Sequence, residues 1–237
     1  LSMGSGVMVA RHIGARDEKR VRECVHTAML LSVICGFAVG LLGFFASSQM
    51  LRLMNAPEDV IDLASLYLKI YFLGSPGLLA YNFGASIVRA TGDTKRPLYI
   101  LTFAGLVNVI LNLILIIVFK MGVSGVAVAT IVSQYISAFL IILYLAKTPT
   151  ACKLIFKYLK LYKNELKSIL RLGLPAGIQN SLFSVSNVII QSTVNSFGSV
   201  AMAGIAAGSN YDSYVYTCTN AIAQTTMTFS SQNMGAK

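Results

Sequence analysis

Charged side chains are scarce in this sequence, making up 12% of its 237 residues, about half the share that is usual in a soluble domain. Tryptophan is absent, histidine occurs only twice, and the four cysteines form no C-x-x-C pair. Zinc sites are commonly built from such pairs and from nearby histidines. The composition therefore argues against a soluble domain and against a zinc site, and we expect no cofactor.

Long stretches of the chain contain no Asp, Glu, Lys or Arg, and hydrophobic residues make up 55% of it. A bilayer-spanning helix needs about 20 mainly apolar residues, and its backbone must satisfy its own hydrogen bonds in lipid. We therefore predict an all-α membrane protein, a polytopic helix bundle. Gly198-Ser199 is the expected break in the longest stretch, 172–211. The predicted spans lie near 24–46, 60–88, 98–119, 123–146, 172–197 and 200–233, and residues 1–13 are expected to end a further helix.

Basic residues outnumber acidic ones by 19 to 9, but their positions indicate topology. If the six predicted spans alternate in direction, every basic residue except Arg52, Lys69 and Lys120 lies on one side. An excess of Lys and Arg marks the cytoplasmic side of a multi-pass membrane protein. We therefore expect the lipid bilayer as a partner and expect no binding to nucleic acid.

The connection over residues 147–171 has two regular faces. Its lysines recur at steps of three and four residues, and apolar residues such as Ile155, Leu159 and Leu166 recur on another face. This pattern is typical of a basic amphipathic helix that lies on the inner leaflet. We predict a cytoplasmic amphipathic linker between two halves, and a lipid or regulator site on it stays open as an alternative.

Two similar phrases lie at opposite ends of the sequence. Gly6–Arg16 can be aligned with Met227–Lys237, which places Gly14 opposite Gly235 and Arg11 opposite Gln232. Both phrases end a membrane segment on the predicted cytoplasmic side, with six predicted spans between them. Internal repeats of this kind are common in transporters. We therefore expect the sequence to be a piece of a longer protein built from two six-helix repeats.

Several ordered motifs together resemble the multidrug and toxic compound extrusion (MATE) family. They are Ile-Val-Arg-Ala-Thr-Gly-Asp-Thr-Lys-Arg-Pro at 87–97, Val-Asn-Val-Ile-Leu-Asn at 107–112, Met-Gly-Val-Ser-Gly-Val-Ala-Val-Ala-Thr at 121–130 with Ser133-Gln134, Leu-Gly-Leu-Pro-Ala-Gly-Ile-Gln at 172–179, and Gln-Asn-Met-Gly-Ala at 232–236. The chain departs from the family at Asn112, where many members have Asp, and at Arg11-His12, where many have Gln-Asn. The resemblance covers the stretch from the end of the family's second helix to the end of its eighth.

The resemblance implies a 12-helix transporter of two lobes in a bacterial inner membrane. Residues 1–146 would belong to the first lobe, and residues 172–237 would begin the second; the remaining helices of the full-length chain would be partners. Such transporters export organic, often cationic compounds in exchange for H⁺ or Na⁺. The alternative is a lipid-linked saccharide flippase of the related superfamily, which would need a strongly cationic cavity.

An enzyme within the membrane would need paired acids, a Ser–His arrangement or a metal cluster. His12 and His26 lie at the predicted cytoplasmic edge, and the sequence has no H-E-x-x-H motif of the kind that binds catalytic zinc. We therefore expect that the protein is not an enzyme. A structural membrane protein without transport activity stays open as an alternative.

The fifth predicted span carries a polar stripe. Its members follow steps of four, three, four and four residues, which places them on one helix face: Asn180, Ser184, Asn187, Gln191 and Asn195. Amides facing lipid would cost several kcal/mol each. The stripe is therefore predicted to face protein or a wet cavity, and we favour a cavity that binds substrate or the coupling ion.

Asp212 is the one acidic residue between positions 172 and 237. Acids within membrane segments are candidates for function by default, and the resemblance implies an acid in this part of the family's eighth helix. Asp212 is therefore predicted to bind a coupling ion or a cationic substrate, with Tyr211 beside it. A solvated acid at the outer interface is the alternative.

The turn at 89–97 and three proline or glycine positions are expected to shape the helices. Gly92 can end a helix, Asp93 can cap the next one, and Pro97 suits its first turn. An ion pair between Arg89 and Asp93 would form a cytoplasmic latch. Prolines kink helices, so hinges or fixed bends are predicted at Pro76, Gly77 and Pro175.

Overall fold

The computed structural model describes residues 1–53, 58–195 and 199–236. Its eight α-helices are α1 (Ser2–Gly14), α2 (Glu18–Leu53), α3 (Glu58–Leu73), α4 (Ser75–Ala90), α5 (Lys95–Leu113), α6 (Gly122–Lys147), α7 (Lys163–Asn195) and α8 (Ser199–Gly235). A π-helical stretch, Ile114–Val118, extends α5, and a 3₁₀ turn covers Phe156–Tyr158. Over the described residues all regular secondary structure is helical, as predicted, and α1 forms where the end of a further helix was expected.

Three helical stretches are long and apolar enough to cross a bilayer over the described residues: 18–49, 95–118 and 122–147. The pair α3 and α4 becomes a fourth if it forms one span bent by 45°. Helices α7 and α8, of 33 and 37 residues, do not qualify by the same measure. Polar side chains explain this difference, because both helices carry many Ser, Thr, Asn and Gln residues.

The bend between α3 and α4 lies against a small-residue face of α2. Pro76 is the second residue of α4, directly after the break at Gly74. A methyl group added at Gly36 would lie 2.5 Å from the Pro76 Cα, and one added at Gly40 would lie 3.0 Å from the Phe72 carbonyl oxygen. Glycine spacing of this kind lets two membrane helices approach closely, and here it accommodates a bent neighbour.

The buried core lies where α1, α2, α4 and α6 meet. Val9, Val25, Phe83, Ile87 and Ile141 are each at most 1% exposed. Helix α8 packs on α1, and α7 packs on α1 and α2. The beginning of the chain is therefore joined to its last two helices, and a cavity lies between α1, α4 and α8.

The prediction of an amphipathic helix over 147–171 is wrong for residues 148–162, while residues 163–171 are helical as predicted. Thr148 is extended, with ψ of 138°, as expected for a residue before proline. Apart from the 3₁₀ turn, residues 148–162 form a loop, and the segment from Lys163 onward belongs to α7. Besides hydrogen bonds within the loop, two backbone N–H groups bond to α2: Ile155 N–H donates to His26 Nε2 at 3.1 Å, and Tyr162 N–H donates to Thr27 Oγ1 at 3.1 Å.

Candidate functional site

A cavity of about 860 Å³ lies between α1, α4 and α8. This volume is in the range of pockets that bind drug-sized molecules. Helix α8 supplies half of the described lining residues, and α1, α4 and the turn after α4 supply the rest. The described residues that line it are Ser2, Met3, Gly6, Val7, Asn82, Ser86, Arg89, Gly92, Thr94, Tyr216, Thr217, Asn220, Ala221, Gln224, Thr225, Met227, Thr228 and Phe229.

Helical spacing brings the polar lining residues together. On α4, Asn82, Ser86 and Arg89 follow steps of four and three residues, and on α8 polar residues recur at positions 220, 224 and 228. Such steps place side chains on one helix face. The Gln224 side-chain amide donates to the Asn220 carbonyl oxygen at 3.4 Å. The polar faces of α4 and α8 therefore both line the cavity.

Arg89 lines the end of the cavity next to the turn that leads into α5. The latch between Arg89 and Asp93, the less favoured interpretation of this turn, does not form. Asp93 instead accepts from the Arg96 backbone N–H at 3.2 Å and pairs with the Arg96 Nε at 3.3 Å. The carboxylate is used as a cap on α5, which draws it away from Arg89.

The turn itself has the predicted form. Gly92 has φ of +90°, a left-handed conformation that favours glycine. Pro97 lies in the first turn of α5, and its carbonyl accepts from the Tyr81 hydroxyl at 2.9 Å. This hydrogen bond connects α4 to α5 and fixes the turn that carries Gly92 and Thr94 to the cavity.

Contacts between α1, α4 and α8 lie beyond the end of the cavity that Arg89 lines. The Gln232 side-chain amide donates to the Ala90 carbonyl at 2.8 Å. A methyl group added at Gly14 would overlap the Gln232 carbonyl, and one added at Gly235 would overlap the Arg11 carbonyl. The two similar phrases at the ends of the sequence are therefore in direct contact.

A buried pair links α1 to the first turn of α7. The His12 Nε2 and Glu165 Oε2 atoms lie 2.9 Å apart, and the two residues are 6% and 5% exposed. Sequence reasoning placed His12 at the cytoplasmic edge and gave Glu165 no role. The pair joins the end of the first phrase to the start of the polar helix α7.

The polar stripe on α7 lies away from this cavity. Asn180, Ser184 and Asn187 are exposed, and the Ser184 hydroxyl donates to the Asn180 backbone carbonyl at 3.1 Å. The side chains of Gln191 and Asn195 lie outside the described residues. Of the described residues that line the cavity, none comes from α7. The role of the stripe stays a prediction.

Asp212 is exposed on α8, one turn before Tyr216 at the rim of the cavity. Tyr211 is 76% exposed. Asp212 and Tyr211 are not among the described lining residues. The structure therefore places Asp212 near the outer end of the cavity wall, and its role in binding stays a prediction.

The proposed hinge positions differ in their surroundings. Pro76 and Gly77 begin α4 after the 45° bend, and a methyl group at Gly77 would lie 3.2 Å from the Tyr135 ring. Pro175 lies inside α7, which continues through it. Movement at any of these positions stays a prediction.

Sequence reasoning missed Asn82, Ser86, Asn220 and Gln224 as lining residues. The signal was available, because these residues follow the same steps of three and four that marked the stripe on α7. The sequence did not show that the polar faces of α4 and α8 border the same cavity. These two helices are far apart along the chain, and the packing of α1 between them brings their polar faces together.

The described residues form a helical bundle with a cavity between its first helix and its last. The MatE family model matches residues 1–114 and 175–237. The chain belongs to this family, the multidrug and toxic compound extrusion transporters that its motifs resemble, and it is therefore not an enzyme.

Two curated relatives and one solved structure show how far the similarity extends. The chain is 31% identical to "Probable multidrug resistance protein YoeA" of Bacillus subtilis, covering 100% of this chain and 52% of the relative. It is 33% identical to "Probable multidrug resistance protein YpnP" of the same organism, covering 96% and 51%. The structure of an outward-facing MATE transporter superposes with a TM-score of 0.86 at 24% identity, covering 99% of this chain and 52% of that one. The chain thus spans about half the length of the relatives it matches.

Proposed function

We propose that the full-length protein is a secondary active efflux transporter of a bacterial inner membrane, an antiporter that exports organic compounds in exchange for H⁺ or Na⁺. The observation that carries this proposal is the cavity between α1, α4 and α8, which is lined by polar residues of α4 and α8. Family membership and the multidrug resistance names of the relatives support it. The resemblance further implies that the exported compounds are often cationic.

The two repeats supply the two moving parts in this proposal. Residues 1–146 form most of the first lobe, residues 147–171 connect the lobes, and residues 172–237 begin the second lobe. The loop that is bonded to α2 at His26 and Thr27 holds the connection against the first lobe. Rocking of the lobes then has to open the contact between Gly14 and Gly235 to admit a compound from the cytoplasm.

Coupling to an ion requires that ion and substrate favour different conformations. An ion bound at Asp212 shifts the equilibrium between the two conformations by its difference in affinity for them, and the substrate shifts it the other way. Asp212, Tyr211 and the polar stripe on α7 would form this part of the site together with the remaining helices of the full-length chain.

The flippase alternative is less well supported. Of the described residues that line the cavity, Arg89 is the one with a cationic side chain. A lipid-linked saccharide carries a pyrophosphate group, for which a strongly cationic cavity is expected. A single arginine is a weak basis for that activity.

The test is efflux of a panel of fluorescent organic dyes from cells that carry the full-length protein, with and without a proton or sodium gradient. Asp212→Asn is compared at equal expression, and Asp62→Asn serves as the control because Asp62 is an exposed acid on α3. Gradient-driven efflux that is lost only in Asp212→Asn supports both the activity and the role of Asp212. Efflux retained in Asp212→Asn removes that role and keeps the transporter. No efflux of any dye overturns the proposed activity and favours the flippase.

A further inference from the structure

The charge of the cavity is concentrated at one point. Among the described residues that line it, Arg89 alone carries a formal charge. The ion pairs within the described part of the chain are His12–Glu165, Arg20–Asp17 and Arg96–Asp93. Asp93, the acid nearest to Arg89 along the chain, is occupied by Arg96. The Arg89 guanidinium is thus left facing the cavity without a carboxylate partner in this part of the protein.

The surroundings of Arg89 suit a negatively charged group. The α5 helix begins beside it, and Gly92 and Thr94 of that turn line the cavity. The Arg96 backbone N–H at this helix N-terminus is already bonded to the Asp93 carboxylate, so Arg89 is the group that is left to meet an anion. The Asn82 amide lies two turns before Arg89 on the same face. The Ser86 hydroxyl is already committed, because it donates to the Ser2 carbonyl at 2.7 Å.

A positive charge in a partly dry cavity is costly unless a counter-charge or hydrogen-bond acceptor reaches it. The planar guanidinium donates two parallel hydrogen bonds to a carboxylate or a phosphate. We propose that the end of the cavity next to the turn that leads into α5 binds an anionic group, a carboxylate or phosphate, of the transported compound through Arg89. This inference rests on the proposed function, because it specifies one chemical feature of the exported compounds.

The test compares two dyes that share a xanthene ring system and differ in charge. Binding of fluorescein, which is anionic, and of rhodamine 6G, which is cationic, is measured by fluorescence anisotropy on the purified full-length protein. The variants are Arg89→Gln, Arg89→Lys and, as a matched control, Lys95→Gln. Lys95 is an exposed cation in the first turn of α5 and is outside the lining.

We expect weaker binding of the anionic dye alone and, among these variants, only when Arg89 is changed. Loss of a charge-assisted hydrogen bond weakens binding by about tenfold or more, so Arg89→Gln should weaken fluorescein binding to this extent. Arg89→Lys should retain part of the affinity, Lys95→Gln should change it less than about twofold, and rhodamine 6G should bind Arg89→Gln at least as tightly as the wild type.

A second variant keeps the inference testable if Arg89→Gln does not fold. Asn82→Asp leaves Arg89 in place and adds a carboxylate on the same face of α4. It should therefore weaken the binding of fluorescein and strengthen the binding of rhodamine 6G. The inference is overturned if fluorescein does not bind the wild type or if Arg89→Gln binds it equally well. It is also overturned if Lys95→Gln loses as much affinity for fluorescein as Arg89→Gln does. Dye efflux that persists without dependence on Arg89 would overturn this inference and leave the proposed function standing.

Discussion

Gly14 and Gly235 make the same contact from opposite sides. Gly14 on α1 packs on the backbone carbonyl of Gln232, three residues before Gly235, and Gly235 on α8 packs on the carbonyl of Arg11, three residues before Gly14. Contacts in which position i touches j and j touches i are the mark of a two-fold interface. The two phrases that are similar in sequence therefore also meet as structural equivalents, which supports a repeat of six helices.

Gly14→Ala is expected to open this contact. The added methyl group would meet backbone atoms of Gln232, which cannot move aside as a side chain can, and overpacking of this kind typically costs about 1–3 kcal/mol. The cost falls on the conformation closed to the cytoplasm, so a cysteine placed at Asn82 should become more reactive from the cytoplasmic side. The measurement is labelling of that cysteine in inverted vesicles, using full-length protein without its native cysteines.

Gly105→Ala is the control for this prediction, because a methyl group added at Gly105 would have no neighbouring atom within 4 Å among the described residues. It should leave the labelling rate unchanged. Equal labelling rates in Gly14→Ala and Gly105→Ala would show that the contact does not hold the cavity closed.

The sequence predicted the parts of this interface but not its assembly. Stretches without charged residues indicated where the helices lie, and the aligned phrases identified Gly14 and Gly235 as equivalent positions. The error over 147–171 has a physical reason: periodic lysines and apolar residues are compatible with a helix, but Pro149 and hydrogen bonds to His26 and Thr27 favour a loop. Residue spacing shows which side chains share a helix face. Which other helix that face packs against depends on tertiary packing.

Glu165→Leu is expected to lower the thermal unfolding midpoint of the full-length protein more than Glu165→Gln. Glu165 and His12 are buried 2.9 Å apart, and leaving a buried polar group without a partner costs about 1–3 kcal/mol. Gln retains an acceptor for His12, whereas Leu does not. A cycle with His12→Leu should show a coupling energy between the two positions.

Glu18→Gln, at an exposed acid in the first turn of α2, is the control for general loss of negative charge. If Glu165→Leu and Glu165→Gln unfold at the same temperature, the hydrogen bond between α1 and α7 does not contribute to stability.

Thr27→Val should release the loop over residues 148–162 from α2. The Thr27 hydroxyl accepts from the Tyr162 backbone N–H at 3.1 Å and donates to the Glu23 carbonyl at 2.8 Å. Without it the Tyr162 N–H loses its partner, and the loop should open more often and be cut faster by trypsin at its lysines. Thr130→Val is the matched control, since that hydroxyl bonds within its own helix to Val126. Equal cleavage rates in the two variants would argue against the role of Thr27.

Cys152 should react slowly with iodoacetamide although it lies in the loop over residues 148–162. Its side chain is buried, and burial raises the pKa of the thiol from 9.0 to about 11, with the Thr150 hydroxyl acting in the opposite direction. The thiolate is the reactive form, so a pKa raised by two units leaves about 100-fold less of it at neutral pH. Lys153→Cys in a Cys152→Ser background gives an exposed comparison one residue away and should react faster by at least that factor. The Cys152 rate should rise as the pH approaches 11 and should become ordinary on unfolding. Equal rates for the two cysteines at neutral pH would mean that the loop does not keep Cys152 buried against the first lobe.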